Sequence, residues 1–296
     1  MASANGDSTR VRGWAVATTV ALGVGVLLWT ERRRALPTPS PAAQSEGSAR
    51  IVTNLVMAGI TAAVSTAAMA PVVTPLAERA ERDGLGLTQG LPAPAWLRDA
   101  VAVVLLDYTL YWWHVLEHRV PWLYRFHQVH HADLALDSTT ALRFHFGEFL
   151  ASVPWRSAQV VLLGASPRAL RVWQRLTMGS VLFHHSNARL PLRWERLLSR
   201  VMMTPRLHGI HHSLVIGEQD SNWSSGLTLW DRLHGTYRAD VPQDEIEIGV
   251  AAYRAPGDVT LARSLAMPFR PLPPTPPRDA SRVSSATREA GIDALR

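Results

Sequence analysis

The sequence predicts an all-α fold: a multi-pass membrane helical domain whose histidines gather at one face. Three observations carry that reading. Apolar blocks recur at residues 14–30, 51–76 and 100–113, the first two free of charge. The histidines fall into three clusters, HVLEH (His114, His118), HQVHH (His127, His130, His131) and HGIHH (His208, His211, His212). All 12 histidines lie between positions 114 and 234, with none in the long stretches on either side, which is the distribution of a metal site.

Taken in order, residues 14–30 (WAVATTVALGVGVLLWT) are about as long as a ~30 Å hydrocarbon core requires. Arg10 and Arg12 could begin a secretory signal peptide. The run Arg32, Arg33, Arg34 directly after the apolar stretch favours a retained anchor instead. Residues 35–50 read as a Pro/Ser linker. The second block, 51–76, is interrupted by Pro71 and Pro75, which a membrane helix tolerates near its end. A charged stretch at 78–83 and a Gly/Pro-rich loop at 84–95 separate it from the third block, which runs straight into HVLEH. Basic residues mark the cytoplasmic side of membrane proteins. Arg32–Arg34 therefore place the anchor's end in the cytoplasm, the second span exits, the third returns, and the histidines reach the cytoplasmic face.

From 149 to 183 the chain is apolar but carries Arg156, Arg168, Arg171 and Arg175. It reads either as one tilted span with an amphipathic segment or as a re-entrant helical pair. Residues 190–203 (LPLRWERLLSRVMM) resemble an interfacial helix with Trp194, Leu197, Leu198 and Val201 on one side. The tail after Met267 is rich in Pro, Ser and Arg and is expected to be disordered. The implied division is an anchor and linker at 1–50, a second span and loop at 51–97, a histidine-rich domain at 98–240 and a C-terminal extension at 241–296.

Residues three and four apart on a helix share a face, so each histidine cluster aims two or three imidazoles at one point. Eight such nitrogens exceed what one four- to six-coordinate ion uses, which argues for two ions. Imidazole suits Fe, Zn, Cu and Ni alike. The chain has no cysteine, which excludes disulfides, thiolate zinc sites, iron–sulfur clusters and cysteine nucleophiles. Redox electrons must then come from a partner or another domain. Hydrophobic residues make up 47% and charged residues 18%, and every basic residue other than histidine is arginine. A net charge of +6 suggests nucleic acid at first sight. The arginines, however, flank apolar segments and form no basic stripe with interleaved aromatics, so no nucleic-acid partner is expected. Arginine in place of lysine fits a GC-rich bacterial genome and hence a bacterial inner membrane.

The succession YWWHVLEHRVPWLYRFHQVHH, RFHFGE, FHHSN, TPRLHGIHH and SNWSSGLTLWDRLHGTY resembles the fatty acid hydroxylase and sterol desaturase superfamily of membrane di-iron oxygenases, over about residues 98–240. The resemblance implies a cytoplasmic cap of short helices in which the three boxes hold two iron ions. On this pattern His185, in FHHSN, is a further ligand, and His184 beside it a weaker candidate because adjacent helical residues point about 100° apart. The implied activity is oxygen insertion from O2 into an unactivated C–H bond of a lipid, or its desaturation. Electrons would come from NAD(P)H through a cytochrome b5-like or ferredoxin/reductase partner. The chain departs from the family pattern at Phe146, at Asn222-Trp223-Ser224 and at His234, all outside the boxes.

Ligating histidines need acceptors for their second ring N–H. Asp107, Glu117, Asp133, Glu148, Asp220, Asn222 and Asp231 are candidates, and for Asp133 and Asp137 a cap or surface role is the better expectation. Asp107, an acid within an apolar block, either lines the site or packs helices. His145, three residues before Glu148, is a possible ligand. Trp112, Trp113, Trp122, Trp155 and Trp173 read as interfacial anchors. Two rival functions remain: a zinc hydrolase, disfavoured because no box contains the HExxH glutamate, and a metal-binding membrane protein without oxygenase activity, for transport or as a scaffold.

Overall fold

The computed structural model describes residues 47–274; the first apolar block, most of the linker and the last part of the tail lie outside the described residues. Among the described residues the fold is all-helical, with two isolated bridges (Met202 with Leu227, Ser213 with Ile248) in place of strands.

The second apolar block forms one continuous rod: α1 (Gly47–Val64), a π-turn (Ser65–Met69) and α2 (Ala70–Arg82). Its first four residues had been assigned to the linker. They are helical because Arg50 is buried and held by Asp133 and Asp137. Pro71 and Pro75 have no N–H to donate. The rod continues through them because Ala70 N–H bonds the carbonyl of Ser65, five residues back, which widens the turn before Pro71. The buried stripe is Arg50, Asn54, Met57 and Thr61, then Val73, Ala77 and Ala80. A 3.6-residue repeat continued from Thr61 would bring positions 72 and 79 inward. The extra residue of the π-turn brings Val73 and Ala80 there instead. This rod of 36 residues is long and apolar enough to cross a membrane, and only 17% of its most apolar window is buried.

α3 (Ala95–Arg119) follows Pro94 and ends at Val120, whose extended backbone is what a residue preceding proline adopts. α4 (Pro121–His131) starts on that proline. The stretch 149–183 resolves into two antiparallel helices, the helical-pair alternative. α5 (Phe146–Leu163) is closed by Gly164 at φ 72, and α6 (Pro167–His185) opens on Ser166, whose hydroxyl accepts Ala169 N–H. The rod, α3, α5 and α6 thus alternate in direction. Val73, Ala77, Leu106, Leu110, Val160, Leu170 and Trp173 pack between them. At the end away from the histidines the two connections interlock: Thr88 N–H bonds the carbonyl of Leu163 (2.9 Å). Gly86 (φ 89) there lies so close to Gly164 that a Cβ would sit 2.3 Å from its nitrogen. The outside of this bundle is apolar, with Val52, Leu55, Leu162, Leu176 and Met178 all exposed.

Short helices follow: α7 (Leu192–Leu198), α8 (Pro205–His211), α9 (Ile216–Gln219), α10 (Leu229–Leu233) and α11 (Leu261–Ala266). The expected helix at 190–203 covers only α7, because the chain turns to pair Met202 with Leu227. The C-terminal extension is packed onto the histidine helices. Val241 and Ile246 meet Ile210, while Val259 and Met267 meet Met57, Val129 and Leu134. Order continues past Met267, where Pro268 is buried, Phe269 packs on Phe126, and Arg125 donates to the carbonyl of Arg270 (2.8 Å). Trp113 and Trp173 are buried in the bundle, which removes the interfacial-anchor reading for them, whereas Trp112 and Trp122 are exposed.

Candidate metal centre

The histidines occupy the last two turns of four helices: His114 and His118 in α3, His127, His130 and His131 in α4, His184 and His185 in α6, and His208 and His211 in α8, with His212 as its C-cap. Helix C-termini carry partial negative charge from unpaired carbonyls. Four of them converge here, an arrangement that favours cations. The helices are set by ordinary local rules: Pro121, Pro167 and Pro205 start three of them, and Thr204 caps α8 by accepting Leu207 N–H.

The nitrogens form two groups, each with all its ligand atoms within 4.8 Å of one another. One contains His114, His118, His127, His131 and His211; the other contains His130, His185, His208 and His212. Sequence neighbours are split between them, His130 from His131 and His211 from His212. In the second group, Nε2 of His185 lies 3.0 Å from Nε2 of both His130 and His208, and Nε2 of His212 lies 3.0 Å from that of His208. Around a cation with nitrogen bonds of about 2.1 Å, ligands at right angles sit about 3.0 Å apart, and at tetrahedral angles about 3.4 Å. The observed spacing therefore fits a shared ion. In the first group Nε2 of His118 and of His211 are buried without a protein partner. All nine residues fit a pair of metal ions by donor type, spacing and orphaned nitrogens.

Three of the opposite ring nitrogens are held by backbone, while the Nδ1 atoms of His130, His208 and His212 are buried without a protein partner. His114 donates Nδ1–H to the carbonyl of Trp223 (2.6 Å), His211 to that of Ser221 (2.9 Å) and His185 to that of Val181 (2.8 Å). Each bond fixes a tautomer that leaves Nε2 free to face its group. Among the carboxylates proposed from sequence, two reach a histidine directly: Nδ1 of His127 lies 3.4 Å from Glu148 and 3.7 Å from Glu117. Gln219 approaches His131 at 3.5 Å. Backbone acceptors leave no trace in residue type, which is why sequence reasoning missed them.

The other candidates stand further out. His145 belongs to neither group. It caps α5 by accepting Gly147 N–H (3.0 Å) and faces the carbonyl of Leu265 (3.3 Å). His184 packs against His208 with ring centroids 4.0 Å apart and planes tilted by 47°, and also belongs to neither group. Asp231 acts through the chain: its oxygens accept the N–H groups of Trp223 (2.8 Å) and Ser224 (3.1 Å), pinning the loop whose carbonyl holds His114. Asn222, at φ 53, ties the carbonyl of Leu207 in α8 to that of Arg238. Asp107 packs helices rather than lining the centre, accepting Leu227 N–H and Trp230 Nε1–H (2.7 Å). Asp220 pairs with Arg119 at 3.2 Å.

Asp133 departs most from its expected surface role. It is fully buried two residues after His131 and accepts hydrogen bonds from Arg50 (2.9 Å), Asn54 (2.9 Å) and Thr140 (2.8 Å). Burial pushes its pKa up, but Arg50 and Arg143 outweigh that and hold it below the usual carboxylate value. His234, the departure from the family pattern, stacks on Tyr111 and bonds Tyr108, away from both groups.

A cavity of about 630 Å³ lies between the rod, α3, α5 and α6 and ends on the histidines. Its walls include Ser65 and Thr66 of the π-turn, Leu106, Phe149, Trp173 and Val181; at its end stand His114, His127, His130, His185 and His208, from both groups. Burial holds the imidazoles of His130, His131, His208 and His212 well below their usual pKa and pushes that of His211 down to about 3. They are neutral at pH 7, the form that binds metal.

Residues 100–236 match the family model for fatty acid hydroxylase. Relatives include an ornithine lipid hydroxylase of Rhizobium tropici, 30% identical over 60% of this chain and 51% of its own. A cholesterol 25-hydroxylase-like protein of Danio rerio is 33% identical over 46% of this chain and 54% of its own. An alkylglycerol monooxygenase of Xenopus tropicalis is 29% identical over 47% of this chain and 30% of its own. The chain spans about half the length of the first two. No solved structure is significantly similar to it. The three boxes lie intact inside the matched segment, so residues 100–236 are the part of the chain that resembles the fatty acid hydroxylase family.

Proposed function

We propose that this protein is a membrane-bound oxygenase that hydroxylates an unactivated C–H bond of a lipid, with the nine grouped histidines holding two iron ions. The observation that carries this is the position of both histidine groups at the end of an apolar cavity, whose volume lies within the range of small-molecule sites. The relatives are named for ornithine lipid hydroxylation, for likeness to a cholesterol 25-hydroxylase and for alkylglycerol oxygenation, and a lipid tail is the chemistry this cavity suits.

The overall reaction is RH + O2 + 2 e⁻ + 2 H⁺ giving ROH + H2O, with the electrons drawn from NAD(P)H through a separate redox protein, because a chain without cysteine has no thiolate-bound cluster of its own. Iron would supply the reduction of O2 and the abstraction of hydrogen from carbon. The chain supplies the setting. The carbonyls of Trp223, Ser221 and Val181 hold three imidazoles in one tautomer, and Glu117 and Glu148 orient His127. Leu106, Phe149 and Trp173 exclude water from the lipid-facing end. Desaturation begins with the same hydrogen abstraction and is the alternative outcome at this site.

The bundle supports a multi-pass reading in which the rod, α3, α5 and α6 span a bacterial inner membrane. The short helices then form a cap on the side of the arginine run, the cytoplasm. The domain division at 1–50, 51–97, 98–240 and 241–296 is then adjusted by moving the first limit to the start of the rod at Gly47, with 241–270 built onto the cap.

Expression of the full chain in iron-supplemented medium, metal analysis of the purified protein and lipid profiling of the host test the proposal. About two irons per chain and a lipid product heavier by one oxygen are expected. Bound metal without any oxidised lipid, in cells supplying a reductase, would favour the non-oxygenase alternative.

A further inference from the structure

We propose that α10 and the segment 192–201 together form a ledge that lies in the headgroup layer of the bilayer and binds anionic phospholipid. This rests on the membrane reading above and adds a second, peripheral contact with lipid.

The two stretches are remote in sequence and joined in space. Thr228 N–H bonds the carbonyl of Val201 (3.1 Å) and Met203 N–H that of Gly226 (2.9 Å). The Thr228 hydroxyl and the Arg232 guanidinium both donate to the carbonyl of Ser199 (3.1 Å each). On the outer side Leu192, Trp194, Leu197, Val201, Leu229 and Leu233 are 47–64% exposed. Six large apolar side chains from two segments make a patch that a surface facing only water does not sustain.

Charge on the ledge is sorted by burial. Its exposed charged residues are Arg193, Arg196, Arg200 and Arg232, all basic. Both acids of the two stretches are turned inward and buried. Glu195 accepts from the Thr204 hydroxyl (2.7 Å), and Asp231 accepts from the backbone of Trp223 and Ser224. Asp240 and Asp244 stand in the groove beside Arg196, Arg200 and Arg232, but within the two stretches themselves every exposed charge is basic, and an apolar face with cations on it is the pattern that seats in anionic headgroups.

Depth agrees. The ledge is fastened to α3 at Asp107, which receives Leu227 N–H and Trp230 Nε1–H, and at Tyr108, bonded to His234. Asp107 precedes His114 by seven residues, about 10 Å along a helix. The ledge is therefore fastened on the bilayer side of the histidines. An acidic soluble protein would match the arginines, but it would leave the six apolar side chains without a reason and would have to reach into the bilayer edge.

The natural chain has no cysteine, so single substitutions can be labelled uniquely. Full-length Leu197→Cys and Leu233→Cys, carrying an environment-sensitive fluorophore, are placed in nanodiscs with or without phosphatidylglycerol. Leu176→Cys on the bundle exterior and Glu247→Cys on the exposed cap serve as references, and metal content checks that each variant is folded. The expected result is blue-shifted emission at 197 and 233, quenched by brominated lipid and not by aqueous iodide. The effect should be stronger with phosphatidylglycerol. A variant with Arg193, Arg196, Arg200 and Arg232 all changed to Gln should lose that lipid dependence. Iodide quenching at 197 and 233 while 176 is quenched by lipid overturns the ledge alone. Protection at 197 and 233 that arises only when an acidic soluble redox protein is added overturns it in favour of protein docking. Iodide quenching at 176 as well removes the membrane reading and the ledge with it.

Discussion

Alanine substitutions in pairs separate two ions from one more sharply than any single variant. His130 and His131 are neighbours in the chain but belong to different groups, whereas His130 and His208 lie 78 positions apart and share one. Four-ligand protein sites bind zinc with about 10–16 kcal/mol. Dividing by four ligands gives about 3–4 kcal/mol each, or roughly 10²–10³ in affinity per imidazole removed. Purified protein is dialysed against a graded chelator series, and the metal per chain is read by mass spectrometry. At a chelator strength that leaves the parent loaded, His130→Ala with His208→Ala should retain about half of the metal. His130→Ala with His131→Ala should lose nearly all of it. Equal retention in the two double variants would refute two separate groups, and with them the split of adjacent histidines.

Asp133→Ala leaves Arg50 buried with Asp137 as its remaining acid. It should cost about 3 kcal/mol, at the lower end of the range for a broken buried ion pair, read by reversible unfolding in mixed micelles. Arg50→Met with Asp133→Leu should recover more than half of that, and a double variant no better than the single would remove the ion-pair explanation. Gly86→Ala puts a Cβ 2.3 Å from Gly164 N at positive φ and should cost about 2–3 kcal/mol. A wild-type melting temperature would show that the two connections are not locked together. The metal-free protein should weaken in acid. Its buried histidines have lowered pKa values, His211 near about 3, so below the unfolded value of about 6.5 the unfolded chain takes up protons that the folded one refuses. Stability is then full above about pH 6.5 and falls progressively below it, toward about 3. A melting temperature that is flat between these limits would contradict burial of neutral imidazoles.

The residues of the centre were legible because helical spacing of three and four is a rule of geometry, and His185 because FHHSN matched a known pattern. Their partition was not. Whether His130 joins His185 or His118 depends on how α4 and α6 cross, and spacing within one helix does not contain that. Asp133 read as a surface acid because its partner, Arg50, lies 83 positions earlier in a stretch that looked like linker. The rod was legible as an apolar block, yet its passage through Pro71 depends on a wide turn with no side-chain signature. Apolar content alone could not separate a hairpin from a tilted span at 149–183; Gly164 and Ser166-Pro167 were the punctuation that would have done so. The tail's proline content concealed the packing of Pro268 and Phe269.

The π-turn at residues 65–69 has a bearing on how this cavity could change over generations. A wide turn amounts to one residue more than an α-helix needs over the same rise. Losing any single residue from it would close the turn to the plain α-helical register, in which the side chains now at 73 and 80 fall at the inward places 72 and 79. Val73, Ala77 and Ala80 would keep the buried face, and the change would be confined to the stretch that brings Ser65 and Thr66 to the cavity wall. A one-codon deletion here would therefore reshape that wall locally without touching a histidine or unseating the rest of the rod.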